Sequence, residues 1–130
     1  MVVNKTMKIK KERVAVIGAS NKPQRYSYKA IEALVRNGHE AIPFNPALKE
    51  VLGINVTNKI EDITGAIDTV TLYVGPDRIA AMAESIAALK PKRIIANPGA
   101  ESEVMRQTAE KNGIEYIEAC TLVMLSTGQF

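Results

Sequence analysis

Short apolar runs alternate along this chain with stretches whose apolar residues return every three or four positions. Residues 13–18 (Arg-Val-Ala-Val-Ile-Gly) set four apolar residues in a row, which reads as a strand buried on both faces and stopped by Gly18. A polar segment with Pro23 follows. Residues 27–37 then read as a helix: Ile31, Leu34 and Val35 share a face, Ser27 is placed to cap its start, and Gly38 follows its end in left-handed conformation. Residues 40–45 form a second strand, closed by Asn45-Pro46. Residues 47–58 are less regular around Gly53, and 59–63 read as one helical turn. Residues 68–74 are a third strand rich in β-branched side chains, ended by Gly75-Pro76. Pro76 suits a first helical position, and Ile79, Met82, Ala83, Ile86 and Leu89 recur at helical spacing up to Lys90-Pro91. Residues 93–96 are a fourth strand, Asn97-Pro98-Gly99 turns the chain, 101–112 are a helix followed by Gly113, and 114–118 are a fifth strand. The tail, with Leu122-Val-Met-Leu125, reads as a short helical turn packed on the sheet.

Strand and helix alternate regularly, so the expected crossovers are right-handed and the sheet parallel with helices on both faces. The expected fold is α/β: a three-layer, Rossmann-like domain on a five-stranded parallel sheet of order 3-2-1-4-5. Ligands of such sheets sit beyond the carboxyl ends of the strands, where the order reverses. That order puts the reversal between the first and fourth strands. The residues at this edge are Gly18, Ala19, Ser20 and Asn21; Asn45 and Pro46; Val74, Gly75 and Pro76; and Asn97, Pro98 and Gly99.

The 130 residues make one domain, expected to span 12–130 after a flexible basic lead-in at 1–11. Much of the net charge of +3 lies early, at Lys5, Lys8, Lys10, Lys11 and Arg13. With no Trp, two Phe and four Tyr, the chain lacks the basic face interleaved with aromatics that a nucleic-acid partner would want. No apolar run reaches the roughly eighteen residues of a membrane span, and no apolar segment precedes Arg13 to act as a secretory signal. The single Cys120 cannot pair internally, which fits a reducing compartment, and cytoplasm is the expected location.

The first strand-to-helix turn holds the most suggestive chemistry. Gly18 removes a Cβ where the chain leaves the strand, so that successive N–H groups of residues 18–21 can face an anion. The following helix adds its positive N-terminal end. Ser20, Arg25 and Ser27 add donors, Arg25 with a planar charged fork suited to phosphate, and Lys22 adds a nearby charge. The dinucleotide fingerprint is incomplete: the turn has one glycine, and the second strand ends Pro43-Phe44-Asn45-Pro46 without a carboxylate for ribose hydroxyls. The Walker A pattern is absent. Carboxylates do not converge on this edge and no Cys/His cluster exists, so neither a catalytic residue nor a metal site is expected. His39, the single histidine, falls at the opposite edge and reads as a surface residue. Cys120, just past the fifth strand, is a candidate thiol, with packing as its simpler role.

The string Val14-Ala-Val-Ile-Gly-Ala-Ser20, then Pro23-x-Arg25-x-Ser27-Tyr28, Gly38 and Ile42-Pro-Phe-Asn-Pro46, resembles the small stand-alone CoA-binding domain family. That family is similar to the N-terminal domain of the succinyl-CoA synthetase α subunit. The likeness continues through Gly53, Ile67-Asp68 and Gly113-Ile114 to Cys120. It implies coenzyme A or an acyl-CoA as ligand. Gly18, Ala19, Ser20 and Asn21 would meet the phosphates through backbone amides, with Arg25 and Ser27 adding side-chain contacts. Asn45, Pro46 and Lys49 would line the adenosine and its 3′-phosphate, Val74, Gly75 and Pro76 the adenine, and Asn97, Pro98 and Gly99 the pantetheine arm. The chain departs from the family at Tyr73-Val74, where an Arg is common, at Ala96-Asn-Pro-Gly99, where Trp-x-x-Gly is common, and at Ala47, where a basic residue is common. Because the chain shows binding equipment without obvious chemistry, binding without catalysis is expected, with a protein partner or homodimer as an option. The alternatives are an NAD(P)-binding oxidoreductase and a fragment of an acyl-CoA ligase that needs a partner chain.

Overall fold

The computed structural model describes residues 10–130; residues 1–9, most of the expected lead-in, lie outside it. The main sheet is built from β1 (Arg13–Ile17), β2 (Glu40–Phe44), β5 (Thr69–Leu72), β6 (Arg93–Ala96) and β7 (Glu115–Glu118). Every pairing in it is parallel. A two-stranded hairpin, β3 (Glu50–Val51) and β4 (Ile54–Asn55), and a 3-10 turn (Ile60–Asp62) lie between β2 and β5. The helices are α1 (Tyr26–Arg36), α2 (Pro76–Ala87), α3 (Glu103–Lys111) and α4 (Thr121–Ser126).

Period-two alternation in the strands splits the core into two. Val14 and Val16 pack on one face with Ile31 and Leu34 of α1 and, at the tail, Leu125 and Phe130. Ala15 and Ile17 pack on the other with Ile79, Ala83 and Ile86 of α2 and Met105 and Ala109 of α3. These are the three layers expected of the α/β, Rossmann-like sequence. Each fully buried Ile or Leu contributes roughly 1.5–3 kcal/mol.

The order of strands differs from the expected 3-2-1-4-5. It is β2-β1-β5-β6-β7, or 2-1-3-4-5 counting the sheet's strands along the chain. The cause is local. Thr57 pairs with the outer edge of β2, its N–H donating to Pro43 O at 2.9 Å while Asn45 N–H donates to Thr57 O at 3.0 Å. That edge is thereby occupied, and Pro43, which cannot donate, sits in an edge strand as proline requires. The third strand of the sheet pairs instead with the free side of β1, Val14 opposite Thr69 and Ile17 opposite Leu72. The reversal of order, and the crevice that goes with it, therefore lies between β1 and β5.

Helix ends follow local chemistry. Gly38 has φ +87°, its N–H donating to Val35 O and that of His39 to Leu34 O, a Schellman closure of α1. Ser27 is not the cap of α1. Arg25 holds that position without a side-chain hydrogen bond, and Ser27 is buried within the first turn. Ser102 does cap α3, its Oγ accepting from Met105 N–H at 3.1 Å. His39 is not a free surface residue: its Nδ1 accepts from Glu12 N–H at 3.0 Å and its ring lies 5.1 Å from that of Phe130.

Candidate functional site

The crevice opens where β1 and β5 part. Gly18 has φ +93°, and a Cβ there would lie 2.6 Å from Val74 Cγ1 and 3.0 Å from the Tyr73 carbonyl. Only glycine lets the loop after β1 pass this close to the loop after β5. Asn45 ties the same loop to β2. Its Nδ2 donates to Ala19 O at 2.9 Å, and its Oδ1 accepts from the amides of Ala47 and Leu48.

The backbone amides of the loop divide into two pairs. Those of Gly18 and Ala19 both donate to Phe44 O, at 3.1 and 3.0 Å, and are committed to the β1–β2 junction. Those of Ser20 and Asn21 have no acceptor among the described residues. The Ser20 hydroxyl accepts from Lys22 N–H at 3.1 Å. Immediately beyond, α1 begins with no side-chain cap and no acidic residue in its first turn. Its leading amides and the positive end of its dipole are left for an outside anion.

A cavity of about 780 Å³ lies over this loop, lined by Gly18, Ala19, Ser20, Asn21, Asn45, Pro46, Val74 and Gly75 together with Lys22, Arg25 and Arg78. Three cations and no carboxylate line it, and none of the three is in an ion pair among the described residues. A second cavity, of about 250 Å³, adjoins it through Gly18, Ser20, Arg25 and Tyr73 and adds Tyr26, Ser27, Pro98 and Gly99. A third, of about 230 Å³, shares Tyr26, Tyr73 and Pro98 with the second and is bounded by Asn97, Cys120 and Leu122. Charge thus falls away along the crevice.

Of the residues singled out in the sequence, Lys49 and Pro76 line none of these cavities. Pro76 instead begins α2. Asn97 bounds the third cavity, but its amide is fully engaged inside the protein. Nδ2 donates to Thr71 Oγ1 at 2.7 Å and to Leu72 O at 2.9 Å, and Oδ1 accepts from Thr121 N–H at 2.8 Å. Gly99 N–H donates to Glu101 Oε1. Cys120 is half-buried and unpaired.

Sequence reasoning gave no site role to Arg78 or Tyr26, and noted Tyr73 only as a departure from the family pattern. Arg78 sits in the first turn of α2, hence at the carboxyl edge of the sheet, which was the available signal. The Tyr73 hydroxyl is the one buried side-chain polar atom without a hydrogen-bond partner among the described residues. The nearby hydroxyls of Thr71 and Thr121 are bonded to each other at 2.8 Å. Burial pushes the Tyr73 phenol up to about 12, against a smaller opposing effect of those two threonines. Among the described residues no group of acidic, cysteine and histidine side chains is placed to hold a metal ion, and no helix is long and apolar enough to cross a membrane.

Residues 12–126 match the CoA binding domain family, and the chain belongs to that family. A protein of Bacillus subtilis strain 168, the uncharacterized YneT, is 29% identical over 102 residues, which are 78% of this chain and 76% of that protein. The crystal structure of another uncharacterized protein is 43% identical, covers 93% of this chain and 99% of its own, and superposes with a TM-score of 0.88. The dinucleotide-forming acetyl-coenzyme A synthetase 1 of Ca. Korarchaeum cryptofilum, solved with phosphate and ADP, shares the fold at 20% identity and a TM-score of 0.72. That likeness covers 85% of this chain and 26% of the synthetase chain.

Proposed function

We propose that this protein binds coenzyme A or an acyl-CoA as a binding module without catalysis of its own. The diphosphate rests on the amides of Ser20 and Asn21 and the uncapped start of α1, and Arg25 closes on it from the side. Gly18 and Ala19 shape the loop rather than donate to the ligand. The adenosine end occupies the large cavity near Asn45, Pro46, Val74 and Gly75, and the pantetheine arm runs past Gly99 and Pro98. The observation that carries the reading is the cavity lining: Lys22, Arg25 and Arg78 without an acid, over amides that lack acceptors. An anion is the occupant that such a lining favours.

A nicotinamide dinucleotide suits the site less well, because no carboxylate stands at the end of β2 to receive ribose hydroxyls. The test is thermal unfolding with CoA, NAD and ADP. CoA at a hundredfold excess over its dissociation constant stabilises by about 2.7 kcal/mol, a rise of roughly 10 °C for a domain this size. An unchanged melting temperature in saturating CoA, or a larger rise with NAD, would overturn the reading.

A further inference from the structure

We infer that the third cavity receives the acyl group of a short, uncharged acyl thioester, so that the preferred ligand is an acyl-CoA rather than free CoA. The inference rests on the CoA reading above and adds the nature of the ligand's far end. The chamber is walled by Tyr26, Tyr73, Asn97, Pro98, Cys120 and Leu122, none of them charged. The one amide among them, Asn97, has both its donor and acceptor groups engaged by Thr71, Leu72 and Thr121. The remaining walls are two tyrosines, a proline, a leucine and a thiol, and the unpartnered Tyr73 hydroxyl is the one buried polar group among them left to meet an uncharged acceptor such as a thioester carbonyl. Such walls reward apolar surface and offer no cation to pair with a carboxylate.

Position supplies the second half of the argument. The middle cavity shares Arg25 with the cationic cavity and shares Tyr26, Tyr73 and Pro98 with this chamber. Along the crevice the cations fall from three in the large cavity to Arg25 alone in the middle one and none in this chamber. An acyl-CoA has the same order: phosphates, an uncharged arm, an apolar acyl chain. Free CoA ends in a thiol that leaves most of the chamber without contacts. An apolar cavity of about 150 Å³ accommodates a benzene ring. The 230 Å³ here suits a chain of a few carbons.

Titration calorimetry on the full chain with CoA, acetyl-CoA, butyryl-CoA and succinyl-CoA tests this. Each buried methylene should tighten binding about fourfold, so butyryl-CoA should exceed acetyl-CoA by roughly an order of magnitude. Succinyl-CoA, which carries a terminal carboxylate, should bind no better than CoA. In Leu122→Trp, which fills the chamber, butyryl-CoA should lose its advantage while CoA keeps its affinity. Leu122→Ala should reduce that advantage with CoA unchanged. Equal affinity for CoA and butyryl-CoA in the unaltered protein, or tightest binding of succinyl-CoA, would overturn the inference and leave the CoA reading standing. Failure of CoA and all three esters to bind would overturn the CoA reading itself.

Discussion

Gly18 brings two loops within van der Waals contact, and any side chain there meets a positive φ, the Val74 side chain and the Tyr73 carbonyl. Gly18→Ala should cost about 1–3 kcal/mol of stability, read as a lower midpoint in urea. Tyr73 carries a different tension. Its hydroxyl is buried without a partner, so Tyr73→Phe should leave the free protein unharmed or raise its stability by about 1–3 kcal/mol. The same phenol gives a pH signature. Its folded value lies near 12, above the ordinary value of 10 that the unfolded chain would show. The stability it protects is complete below pH 10 and is lost as pH rises from 10 through 12. Alkaline unfolding curves of Tyr73→Phe should therefore be flatter over that window than those of the unaltered chain. The glycine was legible in the sequence because a turn after a buried strand demands one. The tyrosine was not, because nothing in Leu72-Tyr73-Val74 says which neighbour its hydroxyl will lack.

Elements were legible where pattern alone decides them. The buried run at 14–17, the helical spacing from Ile79 to Ile86 and the cap glycines at 38 and 113 all specify structure through near neighbours in the chain. Pairing partners were not legible. The outer edge of β2 is closed by Thr57, thirteen residues beyond Phe44, and that contact sends the next strand of the sheet to β1. The same limit applies to amides: the bonds of Gly18 and Ala19 to Phe44 O depend on how β1 and β2 end together. Two ties between elements can be tested. Ser102→Ala removes the cap of α3 and should cost about 1 kcal/mol, seen as a lower melting temperature. Asp68 Oδ2 accepts from Arg13 N–H at 2.8 Å and Lys92 lies 3.4 Å from Oδ1. The bond from Arg13, with the Lys92 ammonium beside it, holds the Asp68 carboxyl below its usual range. Its contribution is present above the ordinary value near 4 and is lost as pH falls through the lowered one, so Asp68→Asn should be less acid-sensitive.

At the scale of the whole molecule, a 2-1-3-4-5 sheet places its crevice between β1 and β5, and the charges that converge there come from different segments. Lys22 and Arg25 follow β1, while Arg78 follows β5. The first two stood out in the sequence as cations of the turn after β1. Arg78 joins them because β5 lies beside β1, which the expected order did not provide for. Since the cations act together, Arg25→Ala should weaken CoA binding about 10- to 100-fold, in line with loss of a charged hydrogen bond. Added salt should weaken CoA more than adenosine.

The central claim is that the amides after Gly18 hold the ligand's phosphates. Amide NMR during a CoA titration tests it residue by residue. The account predicts the largest shifts at Ser20, Asn21 and the first turn of α1, with smaller ones at Gly18 and Ala19, whose N–H groups already bond Phe44 O. Saturable binding that leaves Ser20, Asn21 and Ser27 unmoved would contradict it.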